Sequence, residues 1–426
     1  MAWLLFLGPF FFLSYGFANW WTATFSHPGT VVFAWESSIP FVAWTIIPYW
    51  SIDLFYGLSF LLCRSRDEVD RHARRLCSAQ IIAITCFMAF PLRFSFEKPP
   101  LDDSIYSAFY TALAGFDKPF NQAPSLHIAL LLILWVRYRA VSHGVLRHLA
   151  DFWSFLILLS VLTTYQHHFI DVPTGALLGL FCLWLWPDQG STPFSCWRFS
   201  TSPERLRLGT RYLAGATLCT VFALFGDGHG WLLWLLWPAT ALLLVALNYF
   251  GFGPDGFQKC EGRFAISTRW ILAPYIAMAW LNSRIWTIRY PQPVEIVGGI
   301  WLGRMPGRKD MQNGRFKSLL DLTAELSAPS GDWTVHYLPW LDLVTPDATQ
   351  LRMAAQHIES LRSQGPLLVC CALGFSRSAS AVAAWLLLGR HAASVDDAVT
   401  MIAAHRPQCV LGMKHRKTLE KLQLTM

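Results

Sequence analysis

Eight apolar runs, near residues 3–22, 40–63, 77–95, 124–141, 150–167, 169–187, 212–226 and 231–250, approach or exceed the length needed to cross a hydrocarbon layer, which is about 30 Å thick. Such a layer offers no water to backbone N–H and C=O groups, so segments inside it close their hydrogen bonds as helices. The first 250 residues are therefore expected to form a polytopic α-helical membrane bundle. The composition agrees: 54% of the 426 residues are hydrophobic and only 14% charged, with 21 Trp and 31 Phe, a balance outside that of soluble domains. The net charge of +7 resides in short linkers, which sets nucleic acid aside as a partner.

The linkers after the even-numbered runs hold most of the Lys and Arg: "RSRDEVDRHARR" at 64–75, the stretch from Arg198 to Arg211, then Lys259, Arg263 and Arg269, with "RYRAVSHGVLRH" at 137–148 on the same side. The positive-inside rule assigns these segments, and both termini, to the cytoplasm of a multi-pass protein of the plasma (inner) membrane. The first run has no basic flank and no small-residue cleavage site, so it reads as a retained span. A ninth stretch, "WILAPYIAMAWL" at 270–281, is short and interrupted by Pro274, and reads as an interfacial or buried segment. "GFGPDG" at 251–256 and "GDGHG" at 226–230 read as turns, with His229 exposed to solvent. Most of the ten cysteines sit singly in apolar stretches, with no disulfide framework and no paired zinc spacing.

From about Glu295 the pattern becomes that of a soluble α/β domain. Strand-like runs at "EIVGGIWLG", "SLLDLT", "TVHYLPWL" and "PLLVCC" alternate with helical patterns at 347–363, 376–390, 394–405 and 413–424. The expected division is a membrane region at 1–250 with a core at about 40–187, a linker at 251–294 and a cytoplasmic domain at 295–426.

In "LLVCCALGFSRSAS", Cys371 and Arg377 form C-x5-R between a buried strand and a helix. A strand, a tight loop and a helix N-terminus bring backbone N–H groups and the positive end of a helix dipole together, a cradle for a phosphate dianion. Arg377 adds a planar two-pronged donor. A sulfur at the base of such a positive cup is favoured as the attacking anion, which makes Cys371 the nucleophile and leaves Cys370 as a small buried strand residue. Expelling the alcohol requires a proton donor. Asp342 in "YLPWLDLVTPD" suits this role, and Asp347 competes but resembles a helix cap. Gly374, Ser376 and Ser378 complete the phosphate-binding loop, and Ser378 is placed to hydrogen-bond the sulfur. Over roughly 295–424 these residues resemble the cysteine-dependent dual-specificity protein phosphatases. The resemblance implies a two-step reaction through a phosphocysteine, without metal or cofactor. That family usually has His where Cys370 stands.

Polar groups interrupt the apolar runs at Arg93 in "FPLRFSFEKP", at "PSLH" from Pro124 to His127, and at "HHFID" from His167 to Asp171. The alternation of runs brings all of them to the non-cytoplasmic face, and ionisable groups inside a membrane are functional by default. His167 and Asp171 are four apart, one helical face if the backbone is helical. A carboxylate on one imidazole nitrogen leaves the other free to attack, with His127 available to protonate the departing oxygen and Ser125, Arg93 and Lys98 to hold phosphate oxygens. A metal held by His167, His168 and Asp171 is disfavoured because adjacent side chains point apart in a helix.

The layout over roughly 40–187 resembles the type 2 phosphatidic acid phosphatase superfamily, which implies a metal-independent phosphohistidine at His167 oriented by Asp171. Leu126 replaces that family's glycine, and Ser160-Val161 stands where Ser-Arg is expected. These departures resemble the inositol phosphorylceramide and sphingomyelin synthase branch, whose members move a phospho-headgroup between lipids. The expected function is a bifunctional membrane phosphatase acting on phosphorylated lipid or phosphoprotein, with membrane lipids as partners. The alternatives are a headgroup transferase with a regulatory tail and a non-catalytic anchor whose tail binds phosphate.

Overall fold

The computed structural model of the chain describes residues 2–101, 105–226, 230–312 and 314–424. Asp227 to His229 of the turn read at 226–230 lie outside the described residues. Two compact units emerge, one of Met1–Thr192 with Leu218–Trp237, the other of Pro193–Thr217 with Pro238–Met426.

The first unit is helical: α1 (Ala2–Ala23), α2 (Ile46–Ser59), α3 (Arg66–Ala89), α4 (Ile105–Phe116), α5 (Leu126–Val141), α6 (Gly144–Thr163) and α7 (Asp171–Leu185). Helices α8 (Pro203–Phe225) and α9 (Leu236–Leu247) follow. Five described stretches are long and apolar enough to cross a membrane: Ala2–Ala23, Ala43–Leu62, Gly144–Thr163, Pro203–Phe225 and Trp231–Phe257. This is fewer than the eight runs suggest. The run at 77–95 is the second half of α3, which begins in the charged linker because Ser65 caps it by accepting from Glu68 N at 3.2 Å. Helices α5 and α7 have 16 and 15 residues, about 24 and 22 Å at 1.5 Å per residue, short of a bilayer core of about 30 Å.

Gly175 and Gly179 let α7 lie against α5. A Cβ at Gly175 would fall 2.4 Å from the Ser125 carbonyl oxygen, and one at Gly179 would fall 2.8 Å from the Ala129 carbonyl oxygen. This small-xxx-small spacing permits backbone approach in an apolar bundle. Ser125 N donates to the Asp171 carbonyl at 3.1 Å across the same junction. The polar segments gather at this end of the bundle: Arg93 N donates to Gly29 O at 2.8 Å and Phe94 N to Pro119 O at 2.8 Å. The basic linker lies at the other end of α3, where buried Arg75 donates to Trp186 O at 2.7 Å and pairs with Asp188 at 2.9 Å.

The second unit contains the short hairpin β1 (Lys259–Cys260) and β2 (Arg263–Phe264), then α10 (Ile266–Ile271) and α11 (Ala273–Trp286). Pro274 falls in the first turn of α11, where its missing N–H costs nothing, so the chain breaks at Leu272 and restarts. On α11 Ser283 is buried, while Met278, Leu281, Ile285 and Trp286 are exposed. A sheet follows: β3 (Val294–Val297), β4 (Ile300–Arg304), β5 (Ser318–Thr323), β6 (Thr334–Trp340) and β7 (Leu367–Cys371), with α12 (Arg308–Met311), α13 (Ala348–Arg362), α14 (Arg377–Leu388), α15 (Val395–His405) and α16 (Met413–Leu424). The strand order is β3-β4-β7-β5-β6, parallel except for β3 against β4.

Strand β7 is central and wholly buried. Its two-residue period sends Leu367, Val369 and Cys371 to the face covered by α13 and α14, and Leu368 and Cys370 to the face holding Met305, Phe316 and Leu326. The two adjacent cysteines therefore serve different layers. Cys371 alone is delivered on the α14 side, at the carboxyl end of parallel strands where ligand crevices form.

The Gly175→Val protein is expected to lose about 1–3 kcal/mol or more, because the added atoms meet backbone and not a flexible side chain. Its thermal unfolding midpoint in detergent should fall clearly below that of the parent chain.

Candidate active sites

At the end of β7 the chain turns through 372–376 into α14. Gly374 has φ +73°, and a Cβ there would fall 2.4 Å from the Gly303 carbonyl carbon, so the loop closes on β4 only with glycine. Buried Arg406 donates from Nε to Gly374 O at 3.1 Å and from Nη2 to Leu373 O at 3.4 Å, drawing those carbonyls toward itself. On the other side Gly374 N donates to Cys371 Sγ at 3.2 Å, and Ser378 Oγ donates to the same sulfur at 3.2 Å. Ser376 Oγ lies 3.0 Å from His415 Nε2. Burial pushes the Cys370 thiol well above its ordinary range, which keeps it neutral in its layer.

Arg377 is buried and forms a two-pronged pair with Glu325, Nη1 to Oε2 at 2.9 Å and Nη2 to Oε1 at 2.5 Å. Nη1 also donates to Trp340 O at 2.9 Å, and Nη2 lies 2.9 Å from Asp342 Oδ1. Burial alone would raise the Glu325 carboxyl, but the Arg377 charge and hydrogen bonds outweigh it and hold Glu325 below the usual carboxylate range. Asp342, with a third of its side chain exposed, has the opposite outcome: burial raises its carboxyl despite Arg377, and the Glu325 charge adds to the rise. One carboxylate anchors the guanidinium and the other is kept ready to hold a proton. Asp347 caps α13 by accepting from Gln350 N at 2.8 Å.

The loop carrying Asp342 is held from elsewhere in the unit. Tyr249 Oη donates to Asp342 O at 2.9 Å, and Glu204 accepts from Thr345 N at 3.0 Å and from Thr345 Oγ1 at 3.3 Å. Glu204 also meets Lys414 Nζ at 2.5 Å.

In the first unit, His167 Nδ1 lies 3.1 Å from Asp171 Oδ2 and His167 Nε2 lies 3.2 Å from Ser125 Oγ. The contact does not use a helical face: His167 lies in the irregular connection before α7 and Asp171 is the first residue of that helix. Asp171 as acceptor fixes the proton on Nδ1 and leaves Nε2 its lone pair, toward which Ser125 donates while accepting from Ile128 N at 3.3 Å. His168 turns the other way. Its Nδ1 lies 2.9 Å from Glu36 Oε2 and its Nε2 3.0 Å from Ser95 Oγ, so both nitrogens are engaged apart from the His167 cluster. Burial would raise the Glu36 carboxyl, but His168 and the N–H groups of Phe33 and Phe169 together hold it low.

His127 and His167 line one cavity of about 430 Å³ together with Tyr15, Tyr49, Asp53 and Asp117. His127 stacks on Tyr49 with centroids 4.2 Å apart, and its buried Nε2 has no hydrogen-bond partner among the described residues. Asp117 accepts from Tyr15 Oη at 2.7 Å and Tyr49 Oη at 3.3 Å. The expected phosphate ligands Arg93 and Lys98 are not among the cavity's lining residues. Arg93 is exposed and fixed through its main chain, and Lys98 Nζ lies over the Tyr110 ring at 5.8 Å.

Residues 300–424 match the family model described as the dual specificity phosphatase catalytic domain. Similar solved structures include Tk-PTP in its active form, 25% identical over 32% of this chain and 99% of that one, with a TM-score of 0.30. Human DUSP28 is 20% identical over 31% and 96%, TM-score 0.29. PTPMT1 in complex with PI(5)P is 17% identical over 31% and 94%, TM-score 0.28. No curated protein matches the chain. The 300–424 segment is thus a phosphoric monoester hydrolase domain of the dual-specificity type.

Removing one member of a buried ion pair strands the other charge and costs about 3–5 kcal/mol. Glu325→Ala is expected to lower the unfolding midpoint accordingly, and calorimetry of the full chain checks it.

Proposed function

We propose that this chain is a membrane-held phosphatase that cleaves phosphate monoesters through Cys371, with Arg377 binding the phosphate and Asp342 as general acid. The observation that carries the reading is the pair of donors, Gly374 N–H and Ser378 O–H, aimed at Cys371 Sγ beside a guanidinium that Glu325 holds in place. A phosphate dianion entering the loop meets the Arg377 guanidinium, now shared with Asp342, and takes over that side of it. The Cys371 sulfur anion attacks phosphorus, the P–O ester bond breaks, and Asp342 gives its proton to the departing oxygen. Water then attacks the phosphocysteine, Asp342 takes back a proton, and the S–P bond breaks with Ser378 donating to the leaving sulfur. The raised Asp342 carboxyl supports the acid role. A lipid phosphate is the substrate class we favour, with a membrane-bound phosphoprotein as the competing outcome. The exposed Met278, Leu281, Ile285 and Trp286 of α11 suit a lipid surface, and Ser283 beneath them donates to Ala372 O, next to the nucleophile.

For the first unit we propose phosphoryl chemistry on lipids at His167, oriented by Asp171 and Ser125, on the non-cytoplasmic side. Asp53 and Asp117 line the cavity, and no Lys or Arg does so among the described residues, so it offers no cation to pair with the second charge of a phosphate monoester; a singly charged diester, the substrate of headgroup transfer, is the class we favour there. Labelled phospholipid supplied with and without a lipid alcohol separates the two, since transfer gives a new lipid and hydrolysis gives a free headgroup phosphate or inorganic phosphate.

Cys371→Ser is expected to abolish phosphate release from phosphatidylinositol phosphates, while His167→Ala leaves it intact and removes the transfer product. Because burial raises the Asp342 carboxyl, its acid form persists above the ordinary Asp value of about 3.9. Turnover of esters with poor leaving groups should fall as pH rises through that raised value. Asp342→Asn should remove this basic limb from the pH profile.

A further inference from the structure

We propose that Glu204 and Tyr249 are positioning residues for the proton transfer at the Cys371 site, holding the 342–345 loop so that Asp342 faces Arg377. The proposal rests on the reading of Asp342 as general acid. Leu343, the residue after Asp342, has φ +57°. A side-chain-bearing residue in the left-handed region is strained and persists only where its surroundings over-determine it. It is also 68% exposed, so its own side chain supplies little of that hold. The hold comes from either side: Tyr249 Oη on the Asp342 carbonyl at 2.9 Å, and the Glu204 carboxylate on the Thr345 N–H and hydroxyl at 3.0 and 3.3 Å.

Both fasteners are themselves fixed. Tyr249 is 1% exposed and stacks near Tyr212, centroids 5.3 Å apart. Arg205 donates from Nε to Tyr249 O at 3.0 Å and from Nη2 to Asn248 O at 3.2 Å. Tyr249 lies in a π-helical turn, Asn248–Phe252, a widening found often at functional sites. Glu204 begins α8 and also braces α16 through Lys414. Both residues stand outside 300–424, within apolar stretches long enough to cross a membrane. The acid loop is thus a fixture of the ends of those stretches, and the cleavage machinery extends beyond the matched domain.

The test uses the full-length chain in detergent with two esters. 4-Nitrophenyl phosphate releases an oxygen that leaves without a proton, and phenyl phosphate needs one. Tyr249→Phe and Glu204→Gln are each expected to lower kcat on phenyl phosphate about ten-fold or more, with less than about a two-fold change on 4-nitrophenyl phosphate, the signature of an impaired acid. Asp342→Asn sets the scale. If it shows no leaving-group dependence, the acid assignment fails and this inference with it. If it shows the dependence while Tyr249→Phe and Glu204→Gln lose both esters equally, or neither, the fastening alone is overturned. Lys414→Met, which removes the other partner of Glu204, is expected to match the parent on both esters. A phenyl-selective loss there would overturn a role specific to Thr345. Should Tyr249→Phe fail to fold, Glu204→Gln decides the matter alone.

Discussion

The buried pair of Arg377 with Glu325 is the interaction on which the C-terminal site depends. A guanidinium taken out of water is tolerable only when its donors are matched, and here two carboxylates and the Trp340 carbonyl match them. Glu325 is sealed in and permanent, whereas Asp342 keeps contact with solvent and shares the same nitrogen. The arginine therefore has one partner sealed away from solvent and one that solvent reaches. The two carboxylates thus differ in exposure and in the direction their carboxyls are pushed, Glu325 held low by Arg377 and Asp342 raised by burial.

The first unit solves a related problem with histidines. His167 and His168 are adjacent, yet each meets a different buried carboxylate, Asp171 and Glu36. Of the two histidines, His167 lines the cavity shared with His127 and Asp117, and His168 does not. His168, with both nitrogens occupied and Phe94 stacked on it at 4.4 Å, fastens the loops around its neighbour. The glycine-mediated contact of α5 with α7 adds to this hold by fixing Ser125 against Asp171.

The sheet and its helices could be read from short-range pattern: the apolar run at 366–371, the period of two that separates Cys370 from Cys371, and C-x5-R itself are all local. Glu325, Tyr249 and Glu204 escaped because their partners lie 52, 93 and 141 residues away, and nothing in their neighbourhoods marks them as buried ligands of a loop. Asp53 and Asp117 were more accessible, since a carboxylate within or beside an apolar run is a signal in its own right. So was the Gly175–Gly179 spacing, which marks a close helix contact. Arg93 stands at the end of an apolar run, the local signal for a phosphate ligand, whereas the backbone bond to Gly29 that sets its place is long-range and leaves Arg93 out of the lining of the His127–His167 cavity. His167 and Asp171 meet across an irregular connection and not along a helical face, because helix α7 starts only at Asp171.

The most direct test of a sulfur-based phosphatase is capture of its intermediate. Full-length protein mixed with a phosphatidylinositol phosphate and quenched in acid within one turnover should yield, on peptide mass spectrometry, a phosphoryl group on Cys371 that is absent from Cys370. Turnover that continues while Cys371 never carries phosphate would contradict the account.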